Sequence, residues 1–289
     1  MNATTDDGPR LLMSIDGGVA TFTLNRPRRL NAMDHGPGSL QRELVDALSA
    51  ADDNPDVRCS IVTGAGRAFC SGGEVGAINT LTTSRDWYWF LRHEDEDNER
   101  IRQLRKPTIG AVNGLCLGAG LIMAAHFDIL VASDRATMGF IETRFGGTGV
   151  DVIAYHVGAQ WAKFMAMSGE LLTAQQAKDI GLIVAVIPHA RFAAKVADLG
   201  RRVAAMPVQA VEMNRRVVNG AMTNMGWGSQ KDLALALNAV TNGDARDMAA
   251  SDGRLFSDLM REGWSSFKEA RDAPFREPWL EQNATAPSE

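Results

Sequence analysis

Hydrophobic positions along the chain follow two rhythms. Val19–Leu24 alternates and is rich in β-branched residues, which predicts a strand. Residues 37–51 place Leu40, Leu44, Val45 and Leu48 on one face, which predicts a helix opened by Pro37. Further strands are predicted over 58–63, ending at Gly64, over 108–112 and over 127–132. Between them, 86–104 reads as an amphipathic helix, heavily charged from Arg92 to Arg102 and punctuated by Pro107. A short buried helix is predicted from Gly118 onward. Strand and helix alternating in this way indicate an α/β architecture with parallel strands.

After Gly181 the rhythm changes. Residues 183–187 are the last predicted strand, and helices follow over 189–205, 208–222, 228–248 and 252–271. Thr173-Ala-Gln-Gln176 is a capping box for a helix that ends at Gly181. The expected organisation is an α/β core over 1–205 and an all-helical part over 206–289, with 1–10 and 281–289 as tails. The sequence carries no internal repeat and no low-complexity segment.

Composition narrows the functional classes. The chain has 289 residues, 45% hydrophobic and 22% charged, which excludes a disordered or collagen-like protein. Its net charge of −5 argues against binding a phosphate backbone, so no nucleic-acid partner is expected. The longest apolar run, 109–125, is interrupted by Asn113 and four glycines and falls short of the about 20 residues of a membrane span. No basic, apolar leader opens the sequence. Cys59, Cys70 and Cys116 have no metal or disulfide spacing, so a reducing cytoplasm is expected.

Two small-residue turns carry the candidate chemistry. One is Ala68-Phe-Cys-Ser-Gly-Gly-Glu74, after the strand ending at Thr63; the other is Asn113-Gly-Leu-Cys-Leu-Gly-Ala-Gly120, after the strand ending at Val112. Small residues let a ligand approach backbone N–H groups closely, and the second turn opens a helix, where N–H groups favour negative charge. Two such turns can aim one N–H each at a single oxygen, the design of an oxyanion hole; they can equally be packing turns. Neither reads G-x-G-x-x-G before a helix, and no GK[ST] follows, so dinucleotide and P-loop sites are excluded. The five histidines are scattered, so no metal site is expected, and no G-x-S-x-G elbow supports a serine hydrolase.

The chain resembles the crotonase superfamily, the enoyl-CoA hydratases, isomerases and relatives. The resemblance rests on Leu24-Asn-Arg-Pro27 with Leu30-Asn-Ala-Met33, AFCSGGE (68–74), KPTIGAVNGLCLGAG (106–120), FDILVAS (127–133), the glutamate of MGFIET (138–143), SGELLTAQQAKDIGLIVAVIP (168–188) and EGWSSFKEARDAPF (262–275). These occur in the family's order over about residues 10–275. The resemblance implies the ClpP/crotonase-like fold, a spiral of ββα units with a C-terminal helical trimerisation region. It places Gly73 and Ala119 at the two oxyanion-hole positions, binding a thioester carbonyl as it becomes an enolate. Arg28, Arg29, Asn31, Ala32, Ser71 and Val75 fall on the lip that meets the CoA nucleotide, largely through backbone groups. CoA then enters as part of the substrate, and no separate cofactor is implied.

The acid–base positions depart from a standard hydratase of the family, which holds water between two glutamates. Glu142 matches one, but Ile122 stands where the other belongs. Asp151 follows Gly146-Gly-Thr-Gly-Val150; it is either an acid–base residue, as in some hydrolases, dehalogenases and isomerases, or the N-cap of a helix from Val152. Trp87, Tyr88, Trp89 and Phe90 lie in the segment that lines the acyl pocket in relatives. They cannot all face one way on a helix, so one or two are expected in the pocket. The expected activity is acyl-CoA processing of the hydratase/isomerase type with Glu142 as general acid/base. The alternatives are a CoA-thioester hydrolase or dehalogenase using Asp151, and a non-catalytic acyl-CoA-binding protein. Phe267, Arg271 and Phe275, at spacings of four, are expected on one face of a segment reaching a neighbour's CoA site in a trimer or dimer of trimers.

Overall fold

A computed structural model describes residues 8–34, 36, 38–74, 81–149 and 151–280. Among the described residues, ten strands form two sheets. The larger contains β1 (Leu11–Asp16), β2 (Val19–Leu24), β3 (Cys59–Gly64), β5 (Thr108–Val112), β7 (Ile129–Ser133) and β10 (Ala185–Ile187), adjacent in that order. The smaller contains β4 (Ala68–Cys70), β6 (Leu115–Leu117), β8 (Thr137–Gly139) and β9 (Leu171–Thr173). Only β1 and β9 run antiparallel to their neighbours. Each of the pairs β3/β4, β5/β6 and β7/β8 gives its first strand to the large sheet and its second to the small one. The spiral of ββα units is therefore a repeat of topology with no repeat of sequence behind it.

Parallel strands covered on both faces must be apolar throughout. β5 is buried at all five positions, and β3 at its first four. β1, at the edge of the sheet, is exposed at five of six positions. It escapes prediction because Leu12, Met13 and Ile15 have no buried face to mark. The three-residue strands of the small sheet escape for another reason: they are too short to display a period of two.

The helices follow the predicted order with shifted ends. α1 (Leu40–Asp53) begins where the Ser39 side chain accepts from the Arg42 N–H, so Ser39, not Pro37, opens it; Pro37 lies outside the described residues. α2 (Ser84–Gln103) starts two residues early, behind a capping box of Thr83 and Asp86. α3 (Ala119–Ala124), α4 (Asp151–Ser168), α5 (Ala174–Asp179) and α6 (Phe192–Ala204) follow. The expected helix over 252–271 is two, α9 (Phe256–Glu262) and α10 (Trp264–Asp272), because Gly263 adopts φ +122° between them. Before them come α7 (Val208–Asn224) and α8 (Trp227–Asp244).

The helical C-terminal part folds back on the core. α8 lies along α2, and its first residue, Trp227, is 2% exposed within the main hydrophobic cluster. Its indole N–H donates to Glu99 on α2. No helix among the described residues is long and apolar enough to cross a membrane.

Candidate active site

Strand pairing assembles the site. β4, β6 and β8 are neighbouring parallel strands, so their C-terminal ends emerge at one edge of the small sheet. Beyond β4 comes Ser71-Gly72-Gly73, beyond β6 Gly118-Ala119, and beyond β8 Ile141-Glu142. The Gly118 N–H donates to the Gly139 carbonyl at 3.0 Å, tying the second and third of these exits together. A bridge between Met33 and Gly73 fixes the first: the Met33 N–H donates to the Gly72 carbonyl and the Glu74 N–H to the Met33 carbonyl. That bridge does not consume the Gly73 N–H.

Glycine is required at two points here. Gly118 has φ +52°, and a Cβ on it would stand 1.7 Å from Glu142 Oε1. A Cβ on Gly120 would meet the Cys70 backbone oxygen at 2.7 Å, so only glycine lets α3 start against β4.

Gly73, Ala119 and Glu142 line one cavity together with Ile122, Phe140 and Phe145. The Ala119 N–H donates to Glu142 Oε1 at 3.1 Å, so this donor already holds an acidic oxygen. Glu142 Oε2 is buried and has no hydrogen-bond partner. Burial pushes the Glu142 carboxyl up to about 7; its own N–H, the Ala119 N–H and the charge of Arg271 offset part of that rise. A carboxyl titrating there suits a group that both takes and returns a proton.

Gly73, Glu142 and Phe145 also line a second, more polar cavity, so these three stand where two spaces meet. The second cavity is bordered by the cations Arg28, Arg29, Lys268 and Arg271 and by Ala32 and Ser71. Arg28 is exposed, whereas Arg29 pairs with Glu74 at 2.9 Å, and Glu74 also holds Arg26 at 2.6 Å. Asn31 is not among the residues lining this cavity. It is fully buried, accepts from the Arg26 N–H and donates to the Ala65 and Ala68 carbonyls, so its amide holds the loop rather than a ligand. Val75 lies outside the described residues.

Phe267 is buried at the edge of the same cavity, stacked on Trp264 and edge-on to Phe145. Arg271 lies within 6.0 Å of the rings of Phe145, Trp264 and Phe267 and pairs with Asp272. In this chain, α10 therefore packs over the second cavity. Gly263 separates α10 from α9, and the aromatic face of α10 meets Phe145. Phe275 belongs to a 3-10 turn after α10, where it receives Arg144 on its ring face.

The first cavity encloses about 1050 Å³, open solvent at its mouth included. Trp87 and Phe90 line it, Trp89 is half-exposed, and Tyr88 contacts Arg92 instead. Asp151 also lines it, as the first residue of α4, with Thr148, Asp95 and Lys231. Of these only Asp151 was legible as a candidate. Asp95 hides in the charged run of α2, and Lys231 comes from a helix 136 residues away.

The enoyl-CoA hydratase/isomerase family model matches residues 14–278. The chain is 30% identical to a 1,2-epoxyphenylacetyl-CoA isomerase of Escherichia coli, over 92% of this chain and 97% of the relative. It is also 30% identical to an E. coli 2,3-dehydroadipyl-CoA hydratase, over 79% and 90%. Among solved structures, an enoyl-CoA hydratase/isomerase from Xanthobacter autotrophicus superposes with a TM-score of 0.83 at 29% identity, covering 93% of this chain and 99% of that one. A family match over residues 14–278, together with relatives covered over nearly their whole length, shows that the chain belongs to the enoyl-CoA hydratase/isomerase family.

Proposed function

We propose that the chain isomerises an enoyl-CoA thioester by single-carboxylate proton transfer through an enolate. The observation that carries this reading is Glu142, an acid–base group titrating near neutrality beside the Ala119 N–H, with Ile122 as its apolar neighbour. The thioester oxygen takes the place of Glu142 Oε1 on Ala119 and meets the Gly73 N–H as well. Glu142 then loses a hydrogen bond that favoured its charged form, which makes it a stronger base as the substrate binds. It removes a proton from the carbon next to the thioester, and the electron pair moves to the oxygen held by the two N–H groups. For a 3-enoyl thioester, the same carboxyl returns that proton two carbons along, and the double bond moves into conjugation.

Hydration is disfavoured because Ile122 can neither hold nor activate water. Asp151, beside Lys231 and Asp95 on the acyl wall, is given no step at the carbon next to the thioester. The proposed assembly is a trimer or dimer of trimers, supported by the exposed apolar side chains Val217, Leu237 and Val240. A reducing, cytoplasmic location is supported by three buried free thiols.

The test compares turnover of a 3-enoyl-CoA with hydration of crotonyl-CoA, both followed by absorbance. Isomerisation should dominate, and Ile122→Glu should raise hydration. Wild-type hydration faster than isomerisation, or release of free CoA detected by a thiol reagent, overturns the reading.

A further inference from the structure

The first cavity, the acyl side on this reading, is apolar at Ile122 and Phe140, but Glu94 adds a carboxyl whose charge reaches Glu142, and the rest of its wall is in part polar and charged. α2 and α8 meet there around Lys231, which is 8% exposed. Its ammonium donates to Asp95 Oδ1 at 2.7 Å and pairs with Glu99 Oε2 at 3.1 Å. Among the described residues lining the cavity, Lys231 is the sole cation, whereas Glu94, Asp95 and Asp151 all present carboxyls.

The charge on Lys231 is already matched. Burial alone would raise the Glu99 carboxyl, but hydrogen bonding from Arg102, then Lys231 and Trp227, outweighs it and holds it at about 2. Glu99 is thus firmly ionised and faces Arg102 as well as Lys231; of the two aspartates, Asp95 shares Lys231 and Asp151 stands beyond the balance. Burial pushes both of these up, with Lys231 opposing the rise in each. A carboxyl in that state either donates or accepts a hydrogen bond, which a neutral polar group can answer in both cases. Where that carboxyl is ionised, a second carboxylate placed beside it meets like charge in a desolvated space.

Thr148 supplies an independent observation. Its Oγ1 is buried, lines the same cavity and has no hydrogen-bond partner, while its N–H is fixed by Asn238 Oδ1 at 3.0 Å. Buried hydroxyls ordinarily find partners, so this one is set to meet a polar atom of whatever fills the space.

We propose that Asp151, Asp95 and Thr148 form a specificity wall that selects acyl groups carrying a hydroxyl at their far end and rejects those ending in a carboxylate. The inference rests on the acyl-CoA reading above and deepens it by naming the substrate class. Lys231 serves the wall by holding Asp95 in place, and the two carboxyls keep an acyl carboxylate from reaching it.

Binding of three saturated, unreactive thioesters by titration calorimetry tests this without turnover. The expected order of affinity is 6-hydroxyhexanoyl-CoA, hexanoyl-CoA, adipyl-CoA, with the hydroxyl gaining about tenfold over the plain chain, as a hydrogen bond to a charged group provides. Asp151→Asn should narrow the gap between hydroxyl and carboxylate ligands, and Thr148→Val should lower affinity for the hydroxyl ligand alone. Equal affinities, or adipyl-CoA binding as tightly as hexanoyl-CoA, overturn the wall but leave the acyl-CoA reading standing. Failure of all three to bind folded protein, checked by its circular dichroism spectrum, overturns both.

Discussion

At the thioester end of the site, two backbone N–H groups and one carboxyl come from the ends of three neighbouring strands. At the acyl end, the wall is made from side chains of α2, α8 and the start of α4, up to 136 residues apart. The first end is fixed by strand pairing, and only changes that alter the backbone can disturb its donors. The second depends on which side chains the helices carry, and it can change without moving a strand. On the proposed reading, reaction type belongs to the sheet edge and choice of acyl group to the helix faces.

The largest expected effect falls at the thioester end. Glu142→Gln keeps the shape but removes the proton carrier, and should lower kcat for isomerisation by about 10²–10⁴-fold, the span of general acid–base catalysis. A variant within threefold of wild type would break the division between the two ends.

Next is Gly73→Pro, which removes one donor from the developing oxyanion and should cost about 10²–10³ in kcat. Unchanged KM with lowered kcat would sharpen the comparison, since the donor then acts mainly in the transition state. Near-normal kcat would remove Gly73 from the site.

A smaller, continuous effect is expected with pH. Glu142 must be ionised to accept the first proton, so kcat/KM for isomerisation should fall as pH drops through about 7. A flat profile between pH 5 and 8 would contradict it.

The smallest effect is on stability and concerns the same carboxyl. Its value is raised in the fold from 4.5 to about 7, so its contribution to stability is complete below 4.5 and lost as pH rises through 7. An amide in its place does not titrate and carries no such loss. The Tm of Glu142→Gln relative to wild type should therefore rise between pH 4 and pH 8, and an unchanged difference would show that the carboxyl is not buried.

Both ends were partly legible beforehand, to different degrees. Gly73, Ala119 and Glu142 were found because each lies in a contiguous motif beside a strand. Their meeting at one cavity follows from parallel pairing. Asn31 lies in such a motif too, but the hydrogen bonds its side chain makes to Arg26, Ala65 and Ala68 could not be read from the sequence. Lys231 and Asp95 gave no local signal, since a lysine and an aspartate on charged helices read as solvated faces.

The sequence by itself determined the alternation of strand and helix, the glycines that let backbones approach, and the replacement of a second carboxylate by Ile122. These are local properties, written in periodicity and in residue type. Only the tertiary structure decided that the small sheet exists, that α10 covers the second cavity, and that one lysine is buried between carboxyls. Three-residue strands are defined by their partners rather than by their own pattern. A side chain's burial is set by packing between helices distant in sequence, which no local window contains.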